Sequence, residues 1–326
     1  MVVVTAIEAG PLEPQVIRMV EGLRRHGGKL ADIEVLAVNA RRGVPLRPET
    51  KARLNRLNVQ TIYTRRPRRY VWQHMLHKIH CLIEGQEVSK ADVVTWLDAD
   101  VLIIGEPTEI MLAPGEDFAA MPSTGLICTT GPGNPNEAYW ARAAQAVGLE
   151  LESLPWVMAA EDQSRIRFYF NGGVFSYRRE LRLADDLLKD CEAILDKLAP
   201  QRHIEAHLAE QVGIGLTVHK RKLRWREIGP ACNFSLTSRE PELFKPELLR
   251  DQRILHYHDA MEAHTWELLL STLKQSHPQV HEWLSKEGPV SDPTRGVWKH
   301  VREAFRVWRG VHRRRYYAKA GFRRDS

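Results

Sequence analysis

Long hydrophobic runs, clustered cysteines and internal repeats are all missing from this sequence of 326 residues. No apolar stretch approaches the roughly 20 residues that a membrane-spanning helix requires, and the N-terminus is not a basic segment followed by an apolar stretch of signal length. The four cysteines lie too far apart for a CxxC metal knuckle or a compact disulfide framework. We therefore expect a cytoplasmic protein that neither spans a membrane nor is secreted through a signal peptide.

The net charge of +6 is concentrated in the tail of the chain. Residues 295–326 contain eleven lysines and arginines against two acidic residues, an excess larger than the net charge of the whole chain. The rest of the chain is therefore mildly acidic, and an anionic partner is expected only at this tail. With 43% hydrophobic and 27% charged residues, the composition is that of a globular protein and excludes fibrous and disordered classes.

Apolar runs alternate with amphipathic segments through the first hundred residues. Four runs have the length of buried strands, and the segments between them have helical spacing. The predicted strands are residues 2–7, 33–38, 59–63 and 93–97. This alternation predicts an α/β fold, a mostly parallel sheet with helices on both faces. We expect one domain over residues 1–270 and a C-terminal helical extension over residues 271–326, which ends in a basic amphipathic tail at residues 295–326.

Two aspartates follow the fourth of these strands. Asp98 and Asp100 are separated by one residue, so in an extended segment both carboxylates project to one side. Ligands of open parallel sheets bind at the carboxyl ends of strands, and paired carboxylates suit Mn²⁺ or Mg²⁺. His256 offers a third ligand from a separate strand-like segment, and His258 shares its face if that segment is extended. A solvated turn and a hydrogen-bonded structural histidine are the alternatives.

Four motifs in a fixed order form a larger pattern. They are Asp98-Ala-Asp100, Phe170-Asn-Gly-Gly-Val-Phe175, Glu210-Gln211 and Ile254-Leu-His-Tyr257. In this order they resemble the nucleotide-sugar glycosyltransferases of the GT-A fold, most closely the family 8 type that includes galactosyltransferases and glycogenin. The resemblance covers about residues 1–265. It implies a metal-dependent hexosyltransferase that takes a nucleotide sugar, expected to be a UDP-sugar, as donor and a saccharide or lipid-linked molecule as acceptor.

The resemblance also assigns roles to individual residues. It implies catalytic roles for Glu210 and Gln211 on a predicted helix at residues 204–214, substrate binding by Lys78, Asn171 and Gly172, and binding of Mn²⁺ or Mg²⁺ by Asp98, Asp100 and His256. Lys78 is included because Asp259 and Glu262 replace the Gly and Lys that bind the diphosphate in family members. Another basic residue must then neutralise the diphosphate. In an inverting mechanism, Glu161 or Asp162 competes with Glu210 as the base.

Two other functions are compatible with these patterns. A nucleotidyltransferase shares the sheet and the acidic ligands, but residues 9–12 do not provide its Gly-rich phosphate loop. A non-catalytic module tethered to a membrane or polyanion is the second alternative. The tail contains four apolar residues at helical spacing among arginines: Val297, Val301, Phe305 and Trp308. This pattern is typical of a helix that lies on an anionic membrane, which we expect to be the inner face, or of a docking helix. No motif of a nucleic-acid-binding protein accompanies the basic charge.

Overall fold

The computed structural model describes residues 1–64, 66, 68–198 and 200–320. The last six residues of the predicted basic tail, 321–326, lie outside the described residues. The strands of the described part are β1 (Val2–Ala6), β2 (Glu34–Asn39), β3 (Val59–Tyr63), β4 (Val93–Leu97), β5 (Val101–Ile103), β6 (Phe118–Pro122), β7 (Trp156–Met158), β8 (Arg165–Arg167), β9 (Phe170–Arg178), β10 (Trp225–Glu227), β11 (Phe234–Ser235) and β12 (Ile254–His256).

Helices connect and cover these strands. They are α1 (Leu12–His26), α2 (Pro48–Arg56), α3 (Leu76–Val88), α4 (Glu137–Ala146), α5 (Leu183–Lys197), α6 (His203–His207), α7 (Ala209–Lys220), α8 (Pro246–Leu249), α9 (Trp266–Ser276), α10 (Pro278–Leu284) and α11 (Val297–Lys319). Among the residues described, no helix is both long enough and apolar enough to cross a bilayer.

The central sheet has seven strands in the order β10-β6-β9-β4-β1-β2-β3. Strand β1 pairs in parallel with both β4 and β2, and β2 pairs in parallel with β3. Strand β9 is antiparallel to its two neighbours, β4 and β6. The predicted mostly parallel α/β sheet is therefore confirmed, with β9 as the strand that departs from the parallel direction.

Successive residues of β1 face opposite sides of the sheet, and both sides are buried. Val2 and Val4 join the hydrophobic core that contains Ile79 of α3. Val3 joins a second core that contains Val16 of α1. Since side chains alternate along a strand, a continuous apolar run is what a strand covered on both faces requires. Helices cover both faces of the sheet, as predicted.

A smaller sheet, β11-β12-β5, lies at the carboxyl end of β4. Strand β12 is antiparallel to β5, with His256 opposite Val101. The amide of Tyr257 donates a hydrogen bond of 3.0 Å to the carbonyl of Asp100. This pairing brings the two aspartates and the histidine segment together although they are far apart in the chain.

The C-terminal helices pack on the outer side of this small sheet. A third hydrophobic core joins Leu102 of β5 and Leu255 of β12 to Trp266 and Leu273 of α9 and to Trp283 of α10. The predicted division after residue 270 falls inside α9, and it stays a prediction. The expected tail helix is present as α11 over Val297–Lys319.

The predicted helix at residues 204–214 is interrupted. It forms two helices, α6 and α7, with Leu208 between them. The side-chain amide of Gln73 donates hydrogen bonds of 2.6 Å to the carbonyl of Ala206 and 2.9 Å to that of His207. The interruption therefore depends on a residue distant in sequence, because these carbonyls are satisfied from outside the helix. As a result, Glu210 lies in the first turn of α7.

Candidate functional site

Asp98 and Asp100 occupy the short turn between β4 and β5. The amide of Asp98 donates a hydrogen bond of 2.8 Å to the carbonyl of Gly173 in β9, and the carbonyl of Asp100 accepts from Tyr257. Their side chains keep 22% and 29% of their surface accessible. The backbone of this turn is thus fixed by two other strands, while both carboxylates remain open to a ligand.

Two histidines face these carboxylates. His256 Nε2 lies 3.4 Å from Asp100 Oδ1 and 3.9 Å from Asp98 Oδ2. His258 Nδ1 lies 3.8 Å from Asp100 Oδ2, and the two imidazole rings stack with 4.2 Å between centroids. Asp100, His256 and His258 offer donor atoms that all lie within 4.8 Å of one another. The structure therefore brings together Asp98, Asp100 and His256, and it adds His258 to them.

The protonation states of these groups suit a divalent cation. Burial raises the pKa of Asp100, but His256 and His258 outweigh it and lower the pKa to about 2, so the carboxylate is ionised. Burial and the neighbouring His256 lower the pKa of His258 to about 4, which leaves this imidazole neutral with a free lone pair. His256 Nδ1 lies 3.3 Å from Asn233 Oδ1, a partner that favours a proton on Nδ1 and directs Nε2 to the carboxylates. Burial lowers the pKa of His256, but the charges of Asp100 and Asp98 outweigh it and raise this pKa, so a cation would take the place of a proton on His256 Nε2; carboxylate and deprotonated imidazole donors are ligands that Mn²⁺ accepts.

Lys78 of α3 lies buried behind the aspartates. Its ammonium donates a hydrogen bond of 2.6 Å to the carbonyl of Gly172. The same nitrogen lies 3.3 Å from Asp98 Oδ1 and 3.2 Å from Glu210 Oε1. Trp96 Nε1 donates a further hydrogen bond of 2.7 Å to Asp98 Oδ1. Lys78 is thus an ion shared by two carboxylates, and its predicted contact with substrate stays a prediction.

Glu210 and Gln211 begin α7 and differ in their surroundings. The Glu210 side chain is fully buried, and burial together with the charge of Asp98 raises its pKa to about 7 against the opposing effect of Lys78. Gln211 is partly exposed, and its Oε1 accepts a hydrogen bond from the hydroxyl of Tyr169. Glu210 is therefore a carboxyl group that changes charge near neutral pH beside the aspartate turn.

The glycines of the Asn171-Gly172-Gly173 segment leave room for neighbouring side chains. A Cβ at Gly173 would lie 2.5 Å from His256 Cε1, and one at Gly172 would lie 3.0 Å from Lys78 Nζ. Asn171 Oδ1 accepts a hydrogen bond of 2.7 Å from the amide of Gly173, which orients the side chain along the strand. A side chain at Gly173 would therefore displace the imidazole from the backbone of β9, whereas one at Gly172 would make a tight contact with the ammonium.

The two alternative bases lie on an exposed loop. Glu161 accepts hydrogen bonds from Ser123 Oγ at 2.5 Å and from the amide of Thr124 at 3.2 Å. Asp162 accepts from Ser164 within its own loop. Both carboxylates are therefore occupied by groups that hold the loop in shape.

A cavity of about 800 Å³ opens at the carboxyl ends of β1 and β2. Glu8 and Arg41, which follow these strands, form its floor, and α11 forms the opposite wall. Strand β1 pairs in parallel with β4, with Val4 opposite Trp96, so the cavity and the aspartate turn follow neighbouring strands at the same edge of the sheet, although Asp98, Asp100 and His256 are not among the described residues that line the cavity. We did not predict this cavity; the signal was the position of Glu8 and Arg41 directly after two buried strands.

The chain is similar in sequence to one protein family and in fold to several solved structures. Residues 3–222 match the family model described as the Rhodobacterales glycosyltransferase domain. No curated protein sequence matches this chain.

Among solved structures, an active-site mutant of LgtC is similar, with a TM-score of 0.50, 14% identity and coverage of 91% of this chain and 98% of LgtC. GlyE of Streptococcus pneumoniae TIGR4 has a TM-score of 0.49, 15% identity and coverage of 90% and 65%. The bifunctional glycosyltransferase WbbM has a TM-score of 0.44 and 10% identity. The alignment covers 88% of this chain but only 51% of WbbM, so this chain spans about half of that protein. At these identities the likeness to LgtC concerns the fold alone.

Proposed function

The chain belongs to the Rhodobacterales glycosyltransferase domain family, and on this basis we propose that it transfers a sugar from a UDP-sugar to a saccharide or lipid-linked acceptor with the help of a divalent cation. The predicted GT-A fold and glycosyltransferase class are confirmed by the family match and by the similarity to LgtC. The observation that carries the proposal is the convergence of Asp98, Asp100 and His256 beside a large cavity.

The donor set fits a cation on a diphosphate. Asp100 and His256 would hold Mn²⁺ or Mg²⁺, with Asp98 and His258 beside them. When bound, such an ion supplies Lewis-acid stabilisation of the negative charge on the departing diphosphate. Asp100 contributes the charge that offsets the cation, and Asn233 keeps the His256 ring oriented.

The reaction exchanges one bond for another at the anomeric carbon of the donor sugar. The bond to the phosphate oxygen breaks, and its electron pair leaves with the nucleoside diphosphate. A bond to the acceptor oxygen forms, and the acceptor hydroxyl passes its proton to an oxygen of the departing diphosphate. In this proposal Asn171 and Gly172 position the donor sugar, and Glu210, when ionised, stabilises positive charge at the reacting carbon with Gln211 beside it. Lys78 holds Asp98 and Glu210 in fixed positions from behind.

Release of UDP from a panel of UDP-sugars, with and without Mn²⁺, tests this proposal. We expect Mn²⁺-dependent release, and we expect Asp100→Ala to lower kcat/KM by about 10²-fold or more, the scale of losing a group that stabilises developing charge. The matched control is Asp32→Ala, which removes an exposed aspartate just before β2, at the opposite edge of the sheet. Pyrophosphate production from a sugar phosphate and UTP would indicate a nucleotidyltransferase instead, and turnover that does not need a metal would contradict the cation.

The outer face of α11 favours a membrane-associated acceptor. Val297 and Trp308, eleven residues or three turns apart, share a face and remain 65% and 42% exposed. Arginines flank this apolar face, as in helices that lie on anionic bilayers. We therefore propose peripheral association with the anionic inner face of the membrane. The fraction of protein that sediments with phosphatidylglycerol vesicles should fall for Trp308→Ser. It should not fall for the control Met111→Ser, which changes a side chain of similar exposure, 46%. Equal sedimentation of both variants would refute the association.

A further inference from the structure

The cavity beside the aspartate turn contains more positive than negative charge. Among the described residues that line it are three carboxylates and five cationic side chains: Glu8, Asp292 and Glu303, with Arg41, Lys299, Arg302, Arg306 and Arg309. The pKa values of Glu8 and Asp292 are lowered to about 2, because their ionic and hydrogen-bonding partners outweigh burial, so both are ionised. Burial lowers the pKa of the lining His74 to about 4, which leaves it neutral. The described residues that line the cavity therefore carry an excess of two positive charges.

Each carboxylate already has an arginine partner. Glu8 pairs with Arg41 at 2.5 Å, Asp292 with Arg302 at 2.5 Å and Glu303 with Arg306 at 2.6 Å. Lys299 and Arg309 make no side-chain hydrogen bond or ion pair with any residue that the structure describes. Arg309 is half-buried, and burial together with the nearby charge of Arg41 lowers its pKa against the opposing charge of Glu8. A bound anion would relieve the repulsion between Arg309 and Arg41, because it would bring negative charge to both.

Helix α11 is attached to the body on both sides of Arg309. Arg302 packs over Gly10, where a Cβ would lie 2.3 Å from its guanidinium, and it bonds to Thr294 Oγ1 at 2.9 Å as well as to Asp292. Fourteen residues later, the hydroxyl of Tyr316 donates a hydrogen bond of 3.0 Å to the carbonyl of Leu195. Residues 302, 309 and 316 recur every two turns and share one face of the helix. Arg309 is thus held between two contacts, on the face that closes the cavity.

We propose that Arg309 binds the diphosphate of the nucleotide donor, so that the C-terminal helix forms one wall of the donor site. The cavity and the aspartate turn follow two adjacent parallel strands, β1 and β4, so in this inference one extended ligand reaches both Arg309 and the cation. This inference rests on the proposed function, since it names how that site recognises its donor. It also gives α11 a role in catalysis that is separate from its outer face.

Titration calorimetry with UDP and with uridine, at fixed MnCl₂, tests the inference on the full chain. Arg309→Gln should weaken UDP binding tenfold or more, the value of one charge-assisted hydrogen bond, and should leave uridine binding unchanged because uridine has no phosphate. Arg309→Lys should recover part of the affinity. Arg314→Gln removes an exposed arginine of the same helix and should leave UDP binding as in the wild type. Thermal unfolding without ligand checks that each variant is folded.

The outcomes separate this inference from the proposed function. If the wild type binds UDP and Arg309→Gln binds it equally well, the role of Arg309 is refuted and the proposed function stands. If Arg309→Gln loses UDP and uridine to the same degree, the effect is one of packing and the inference is also wrong. If the wild type does not bind UDP, the proposed UDP-sugar donor is wrong and the inference fails with it.

Discussion

Replacing Lys78 with methionine should show how strongly the site depends on one buried charge. The ammonium lies 3.3 Å from Asp98 and 3.2 Å from Glu210, and only 4% of its side chain is exposed. Removing one partner of a buried ion pair costs about 3–5 kcal/mol, because the remaining charge is left unpaired. Asp98 keeps its bond to Trp96 and some solvent, whereas Glu210 is fully buried. We therefore expect Lys78→Met to lower the free energy of unfolding at pH 8 by about 3 kcal/mol, the lower end of this range.

The loss should depend on pH in a definite direction. The pKa of Glu210 is raised to about 7, so in the folded protein this carboxyl is largely neutral at pH 6 and largely ionised at pH 8. A raised carboxyl pKa stabilises the folded state fully below the unfolded value of about 4.3, and this contribution is lost as the pH rises through the folded value. At pH 6 the variant leaves no ionised Glu210 without a partner. We expect its destabilisation to be smaller there by about 1 kcal/mol or more.

Urea unfolding in EDTA at both pH values measures these differences. EDTA removes any bound cation, so the free energies of unfolding report on the protein alone. Lys90→Met is the matched control, since Lys90 is exposed and lies just before β4. If Lys78→Met and Lys90→Met unfold within about 1 kcal/mol of each other at pH 8, the buried network does not carry the charge assigned to it. An equal loss at pH 6 and pH 8 would show that Glu210 is not the titrating group.

Two further variants test the geometry around the aspartate turn. Gly173→Ala would place a Cβ 2.5 Å from His256 Cε1 and displace the ring, so we expect Mn²⁺ affinity, measured by calorimetry, to fall about 10–100-fold. The control Gly310→Ala, whose added Cβ meets open space, should leave the affinity unchanged. Unchanged affinity in Gly173→Ala would contradict the role of His256 as a ligand. Glu210→Gln should lower kcat by about 10²-fold or more. Because the pKa of Glu210 is about 7, the variant should also lack any inflection near pH 7 in the pH–rate profile. An inflection that persists would mean that another group titrates there.

Continuous apolar runs explain why most of the sheet could be predicted from the sequence. Strands β3 and β4 begin and end at the predicted residues, and β1 ends one residue early. Strand β4 is buried along its whole length, so its apolar run itself marks the bounds, whereas β3 is a half-exposed edge strand whose bounds follow from its β-branched and aromatic residues. The positions that follow these runs could be predicted for the same reason, and they include Asp98 and Asp100.

The parts that depend on distant pairing could not be predicted in this way. His258 has a left-handed backbone, with φ at +45°, so the extended segment assumed for it ends at His256, yet the rings still stack. The break between α6 and α7 depends on Gln73, which is remote in sequence. The position of α11 over the cavity depends on the contact between Tyr316 and Leu195. Each of these requires a partner that local spacing does not reveal.

A crystal of the protein with UDP and Mn²⁺, with data collected at the manganese absorption edge, tests the central claim most directly. Anomalous scattering locates the cation independently of the surrounding side chains. The account predicts one strong peak at bonding distance, about 2.0–2.3 Å, from an oxygen of Asp100 and from Nε2 of His256, with the UDP diphosphate on its open side. A UDP molecule bound in the cavity without a peak at these residues, or a peak bound only elsewhere on the chain, would contradict it.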